Sequence, residues 1–182
     1  FAAGSATIGS DVVINASSVT YLVLNSLNIG ANDLTSGGTL NIGALGLTAT
    51  GTFSNNGYLS LVGGNTISLT QDIDSGTWQY TGNTDTVSDT YIIKDFGATD
   101  YYNFELLSGD ANDIFQLGTA LSIAGTFVLT EGSYFANAFT TSVTGLTTIA
   151  SGSYSASTAT QTFGAGLTTS GGSFFGSTGT VD

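Results

Sequence analysis

The chain of 182 residues has no cysteine, methionine, proline or histidine, and its single basic residue is Lys94. Without cysteine there are no disulfides, no thiolate chemistry and no soft-metal sites. Without histidine, cysteine or arginine, the groups able to act as acid, base or nucleophile reduce to carboxylates, Lys94, tyrosines and hydroxyls, and a serine triad is impossible. Thirteen acidic residues against one base give a formal charge of −12. Such a chain does not neutralise phosphates, which argues against nucleic acid and anionic membranes as partners. A strand hydrogen-bonded on both sides tolerates no residue lacking an N–H, so the absence of proline fits an architecture in which nearly every strand is paired. No apolar run reaches the length that crosses a bilayer, so no membrane insertion is expected. There is no initiator methionine and no leader-like segment at Phe1, so the sequence is expected to be a mature or excised piece of something longer.

What is present is apolar, small and hydroxylated. Hydrophobic residues make up 41% of the chain, ample for a continuous core, while only 8% of residues are charged. The polar surface must then consist of Thr, Ser, Asn and Gly, which suits an extracellular setting. Couplets such as Leu27 and Ile29, Leu40 and Ile42, Leu45 and Leu47, Leu59 and Leu61, Trp78 and Tyr80, and Phe127 and Leu129 each place two apolar side chains on one face of a short strand. Turn residues separate them, and no segment carries a helical period.

The last third echoes itself every twenty residues. Gly132-Ser133-Tyr134-Phe135 returns as Gly152-Ser153-Tyr154-Ser155 and again as Gly172-Ser173-Phe174-Phe175. Leu47 with Ile67, and Leu40 with Leu59, extend a similar spacing toward the N-terminus. A repeat of this size is one turn of a solenoid that buries its apolar face by stacking on its neighbours. The expected fold is therefore all-β: a parallel β-helix, or β-solenoid, of about nine coils of about twenty residues each. An Ig-like β-sandwich is the alternative if the echo is confined to the C-terminal third. The chain reads as a single solenoid segment with three zones: N-terminal coils over 1–69, an acidic, aromatic-rich zone over 70–118, and C-terminal repeats over 119–182. Nine of the thirteen acids and the only tryptophan fall between Asp72 and Asp113, where wider coils, an inserted loop or a junction between repeat units is expected.

Gly76-Thr77-Trp78-Gln79-Tyr80-Thr81-Gly82, Thr90-Tyr91-Ile92-Ile93-Lys94-Asp95-Phe96, Tyr101-Tyr102-Asn103-Phe104 and Phe115-Gln116-Leu117-Gly118 form a run that, with Leu121 to Phe127, resembles the repeat units of large repetitive bacterial cell-surface proteins. In style the chain is also similar to the β-helical stalks of autotransporters and filamentous haemagglutinins. The resemblance covers about residues 76–137. It implies a secreted, surface-exposed β-solenoid acting as scaffold, stalk or adhesin, and it supplies no catalytic residues.

Three local patterns bear on chemistry. Asp72 and Asp74 alternate around Ile73 and would share a face on a strand, a spacing to weigh for carboxylate-pair glycoside hydrolysis; strand-end acids are the plainer reading. Asp110, Asn112 and Asp113 cluster hard oxygen ligands in a tight loop, a calcium site by chemistry, against the competing reading of solvated turn acids. Trp78, Tyr101 and Tyr102 could form an aromatic platform for a glycan, against the competing reading of core aromatics. The expectation is a non-enzymatic, structural or adhesive protein of the bacterial cell surface, forming a stalk, filament or sheath segment, with no cofactor apart from that calcium site. Its partners would be copies joined end to end or the continuation of a larger chain, together with a glycan or a cell-surface receptor. A carbohydrate-binding or polysaccharide-processing β-helix domain is the alternative.

Overall fold

A computed structural model describes residues 5–21 and 25–182; Phe1 lies outside the described residues. The described residues form strands and turns with no helix, and the strands pair in parallel, stacking about eight turns of a β-solenoid. One sheet runs the length of the stack. This spine consists of Val19–Tyr21, Thr39–Gly43, Tyr58–Leu61, Thr77–Tyr80, Asn103–Leu107, Phe127–Glu131, Thr147–Ile149 and Leu167–Thr169, each hydrogen-bonded to the next.

The other faces change partway along. In the N-terminal stack, sheet N1 is Ser5–Thr7, Ser26–Asn28, Leu47–Thr48 and Ile67–Ser68, and sheet N2 is Val12–Ile14, Leu34–Ser36 and Phe53–Asn55. In the C-terminal stack, sheet C1 is Thr90–Ile92, Ile114–Gln116, Ser133–Phe135, Ser153–Ser155 and Ser173–Phe175, and sheet C2 is Leu121–Ile123, Thr141–Val143 and Gln161–Phe163. N1 ends at Ile67–Ser68 and C1 starts at Thr90–Ile92 without the two pairing. The spine alone crosses this seam.

The spine register explains why. Val19 pairs Thr39, Thr39 pairs Tyr58 and Tyr58 pairs Thr77, so the lower turns hold 20, 19 and 19 residues. Thr77 then pairs Asn103 and Phe104 pairs Phe127, turns of 26 and 23 residues, before Thr147 and Leu167 restore twenty. The expected echo is present as contact: Leu40 stacks on Leu59, Leu47 on Ile67, and Tyr134 on Tyr154 and then Phe174.

Side chains alternate in and out along each strand, so the inward residues build continuous columns. Along the spine one column reads Leu40, Leu59, Trp78, Phe104, Phe127, and a second reads Ile42, Leu61, Tyr80, Leu106, Leu129, Ile149, every member buried. One expected couplet fails. Leu47 is buried in N1, but Leu45 lies in the preceding turn, where its N–H closes onto the Ile42 carbonyl. In the C-terminal stack a glycine immediately precedes each of the last three C1 strands: Gly132, Gly152 and Gly172. Gly132 and Gly152 take φ of +87° and +65°, and a Cβ at Gly152 would collide with the Gly132 carbonyl oxygen.

Candidate functional site

The two long turns place their additional residues at the seam, and buried carboxylates hold them there. Asp113 is fully buried. Its Oδ2 accepts from Ser108 Oγ at 3.0 Å and from the Asn83 N–H at 3.1 Å, and its Oδ1 accepts from the Asp89 N–H at 3.2 Å. One carboxylate thus anchors both ends of the 83–89 loop. A Cβ at Gly82 would collide with Asp113 Oδ2, which together with a φ of +59° favours glycine there. Asp100, also fully buried, accepts from the Phe96 N–H at 2.7 Å and the Ser122 N–H at 2.8 Å. Burial raises its carboxyl above the ordinary 3.8, and the two N–H donors offset this only in part.

Beside these carboxylates lies an aromatic cluster. Trp78 meets Phe53 at 6.1 Å between ring centroids, Phe96 at 5.0 Å and Tyr101 at 5.6 Å, and Tyr101 stacks on Phe104 at 4.6 Å. Two hydroxyls close a ring through one residue's backbone. The Lys94 N–H donates to Tyr80 Oη at 3.1 Å, and Tyr101 donates to the Lys94 carbonyl at 2.6 Å. With its only proton engaged there, Tyr101 accepts from Tyr80 across 2.9 Å. Desolvation pushes Tyr80 up to about 12 and Tyr101 well above its usual value, so both keep their protons at neutral pH.

The unpaired edges of N1 and C1 leave openings. One cleft of about 330 Å³ lies between Gly64, Asn65, Ile92 and Ile93, and a second of about 390 Å³ lies beside Ile67, Leu69 and Phe96; Lys94 and Asp95 line both. The lysine ammonium sits 5.7 Å from the Phe96 ring centroid. Where N2 stops, a trough of about 560 Å³ contains Asp33, Asp72 and Asp74.

The structure redistributes the residues that the sequence singled out. Trp78 and Tyr101 have relative exposures of 1% and 0%, so neither can present a ring face to a sugar; Tyr102 is half-buried. The platform reading is corrected to core packing at the seam, because alternation turns Trp78 and Tyr80 inward and Tyr101 fills the space beside them. Asp110, Asn112 and Asp113 do share a loop, but Asp113 faces inward with both oxygens accepting from N–H and O–H donors. Asp110 Oδ1 accepts twice from Asn112, through its backbone N–H and its side-chain amide, both at 2.9 Å. Asp110 Oδ2 is buried without a partner. Among the described residues no three carboxylates converge as metal ligands. Asp72 and Asp74 are not on a strand. Asp72 Oδ2 accepts from the Asn55 N–H at 2.7 Å and Oδ1 from the Asp74 N–H at 3.2 Å, so this carboxylate closes a turn.

A surface outside the seam escaped the sequence reading. The outer side of sheet C1 carries a shallow groove of about 310 Å³ lined by Ile114, Gln116, Ser133, Phe135, Ser153 and Ser155. Its signal was present in the echo, where the residue after the inward aromatic alternates as Phe135, Ser155 and Phe175. No family model, no curated protein and no solved structure matches this chain.

Proposed function

We propose that this chain is a stiff structural and adhesive segment of an extracellular bacterial surface protein, part of a stalk, filament or sheath, and that it acts without catalysis. The observation that carries this reading is the unbroken spine: eight hydrogen-bonded strands cross a seam at which both other faces are re-formed. A fold that preserves one ladder through such a change maintains axial stiffness, and stacked turns gain buried area with each addition. The hydroxyl- and amide-rich surface, with charge of essentially one sign, suits a rod that must stay dispersed outside a cell. Its axial partners would be further turns, in the same chain or in another copy joined end to end. The polysaccharide-processing reading has less support, since the seam carboxylates Asp72, Asp100 and Asp113 accept backbone N–H bonds.

The test is immunogold electron microscopy of intact source cells with an antibody against this segment. Label on the outer surface, on projections or a surface layer, is expected. Label that appears only inside sectioned cells would overturn the proposal.

A further inference from the structure

The outward side chains of sheet C1 form two columns fixed by its register. One is Ile92, Gln116, Phe135, Ser155 and Phe175; the other is Thr90, Ile114, Ser133, Ser153 and Ser173. In the first column a large apolar side chain recurs on every second rung. With rungs about 4.8 Å apart, the Phe135 and Phe175 rings are roughly 10 Å apart along the stack, with Ser155 between them. Both rings are turned to solvent, 43% and 56% exposed, whereas the inward neighbours Tyr134 and Tyr154 are fully buried. In the second column Ser153 Oγ donates to Ser133 Oγ at 2.9 Å, so hydroxyls run beside the rings. No charged residue occurs in any of the five strands, although the chain carries −12.

From this geometry we propose that the outer face of C1 binds an extended, neutral, β-linked polysaccharide. The apolar C–H face of a pyranose stacks on an aromatic ring, and serine hydroxyls and the Gln116 amide offer partners to sugar hydroxyls. In a β-linked chain with twofold screw symmetry the same sugar face returns at every second residue, a repeat close to two rungs. Several weak, identical contacts on a periodic surface add through effective concentration. Neutrality of the face selects a neutral glycan over an acidic one, which the remaining carboxylates would repel. A second copy is the less suitable occupant. The column spans roughly 19 Å by 10 Å, about 200 Å², against the roughly 800 Å² per partner of a stable protein interface. The inference rests on the adhesive part of the proposed function for its surface setting alone.

The experiment is depletion of the purified chain by insoluble cellulose and chitin, with starch and polygalacturonate as controls, in 0.1 M and 1 M NaCl. Retention on cellulose or chitin, unchanged by salt, is expected. The double variant Phe135→Ser with Phe175→Ser should lose at least tenfold in retention, and Phe135→Trp, whose enlarged ring cannot act by unfolding, should bind more tightly. No retention of the wild-type chain on cellulose or chitin overturns the inference, as does equal retention of the double variant. Salt-sensitive retention, or preference for polygalacturonate, would also overturn it. Sedimentation equilibrium showing a dimer that depends on Phe135 would instead make this face an interface between copies and refute the glycan assignment. Binding is measured on isolated protein, so its failure leaves the cell-surface labelling result standing, and failure of that labelling leaves the binding standing.

Discussion

In the C-terminal turns each residue stacks on something close to its own copy: Tyr134 on Tyr154, Tyr154 on Phe174, Leu129 on Ile149. At the seam the columns change chemistry, so that Trp78 has Leu59 on one side and Phe104 on the other. The regular turns need only a period, because one good contact is repeated by translation. The seam needs contacts that occur once: the Trp78 cluster, the Tyr80–Tyr101–Lys94 ring and the carboxylates of Asp100 and Asp113. Stability in the repeats is distributed, whereas at the seam it is concentrated in a few side chains joining two stacks that otherwise share only the spine.

Truncating each kind of contact tests that difference most directly. Trp78→Ala should cost about 3–5 kcal/mol and Ile149→Ala about 2–5 kcal/mol, both by emptying core volume. The informative difference is in the shape of the denaturant transition. Loss of Trp78 should uncouple the stacks and split unfolding into two steps, while loss of Ile149 should lower a single midpoint. Two single transitions, shifted alike, would mean that the spine alone transmits cooperativity and that the seam is energetically an ordinary turn.

A smaller effect separates two tyrosine hydroxyls. Tyr101→Phe leaves the Tyr80 hydroxyl without its acceptor and the Lys94 carbonyl without its donor, and should cost about 1–3 kcal/mol. Tyr134→Phe removes only the hydroxyl that meets Thr141 Oγ1 at 2.6 Å, and should cost about 1 kcal/mol. Lys94 is the chain's single trypsin site, and its backbone is held by the seam ring. Tyr101→Phe should therefore speed cleavage after Lys94, while Tyr134→Phe leaves the wild-type rate. Equal rates in all three proteins would remove the ring as the element protecting that bond.

The same contrast governs what the sequence could disclose. The echo of Gly132 to Phe135 at Gly152 and Gly172 is a contact list in itself, and the pairing of Leu40 with Leu59 follows from spacing because each regular turn repeats the one before. The 26- and 23-residue turns have no such template. Their length was legible only as a crowd of acids and aromatics, since what fixes them is which N–H each carboxylate finds. Asp113 looked like a metal ligand because its oxygens are visible in sequence, whereas Asn83, Asp89 and Ser108, which occupy them, lie up to 30 residues away. Adjacency sets Tyr101 and Tyr102 on opposite faces of an extended chain, but it does not disclose that Tyr101 completes a hydrogen-bonded ring. The alternation of Phe135, Ser155 and Phe175 is present in the echo, beside an inward aromatic that is the more conspicuous position.

The smallest expected effect concerns one proton. Stacked in register on Asp100 along the C-terminal turns are Ser122, Ser142 and Thr162, none charged, so the buried carboxylate belongs to the seam alone. Burial holds its pKa above the unfolded-chain value of 3.8, so the folded protein keeps this proton to a higher pH than the unfolded chain does. The stability gained from protonation is then fully present below the ordinary carboxylate range and is lost as pH rises through the raised folded value. Asp100→Asn stays neutral throughout and surrenders one acceptor at every pH. The Tm of the wild-type chain minus that of the variant should therefore grow, by about a few degrees, as pH falls from 7 through the carboxylate range. Effects of the other acids are common to both proteins and cancel in the difference, except that of Asp95, whose carboxylate also raises the Asp100 carboxyl and adds to the same trend. A gap that stays constant with pH would show that the Phe96 and Ser122 N–H groups fully offset burial, and one that narrows on acidification would show that they outweigh it.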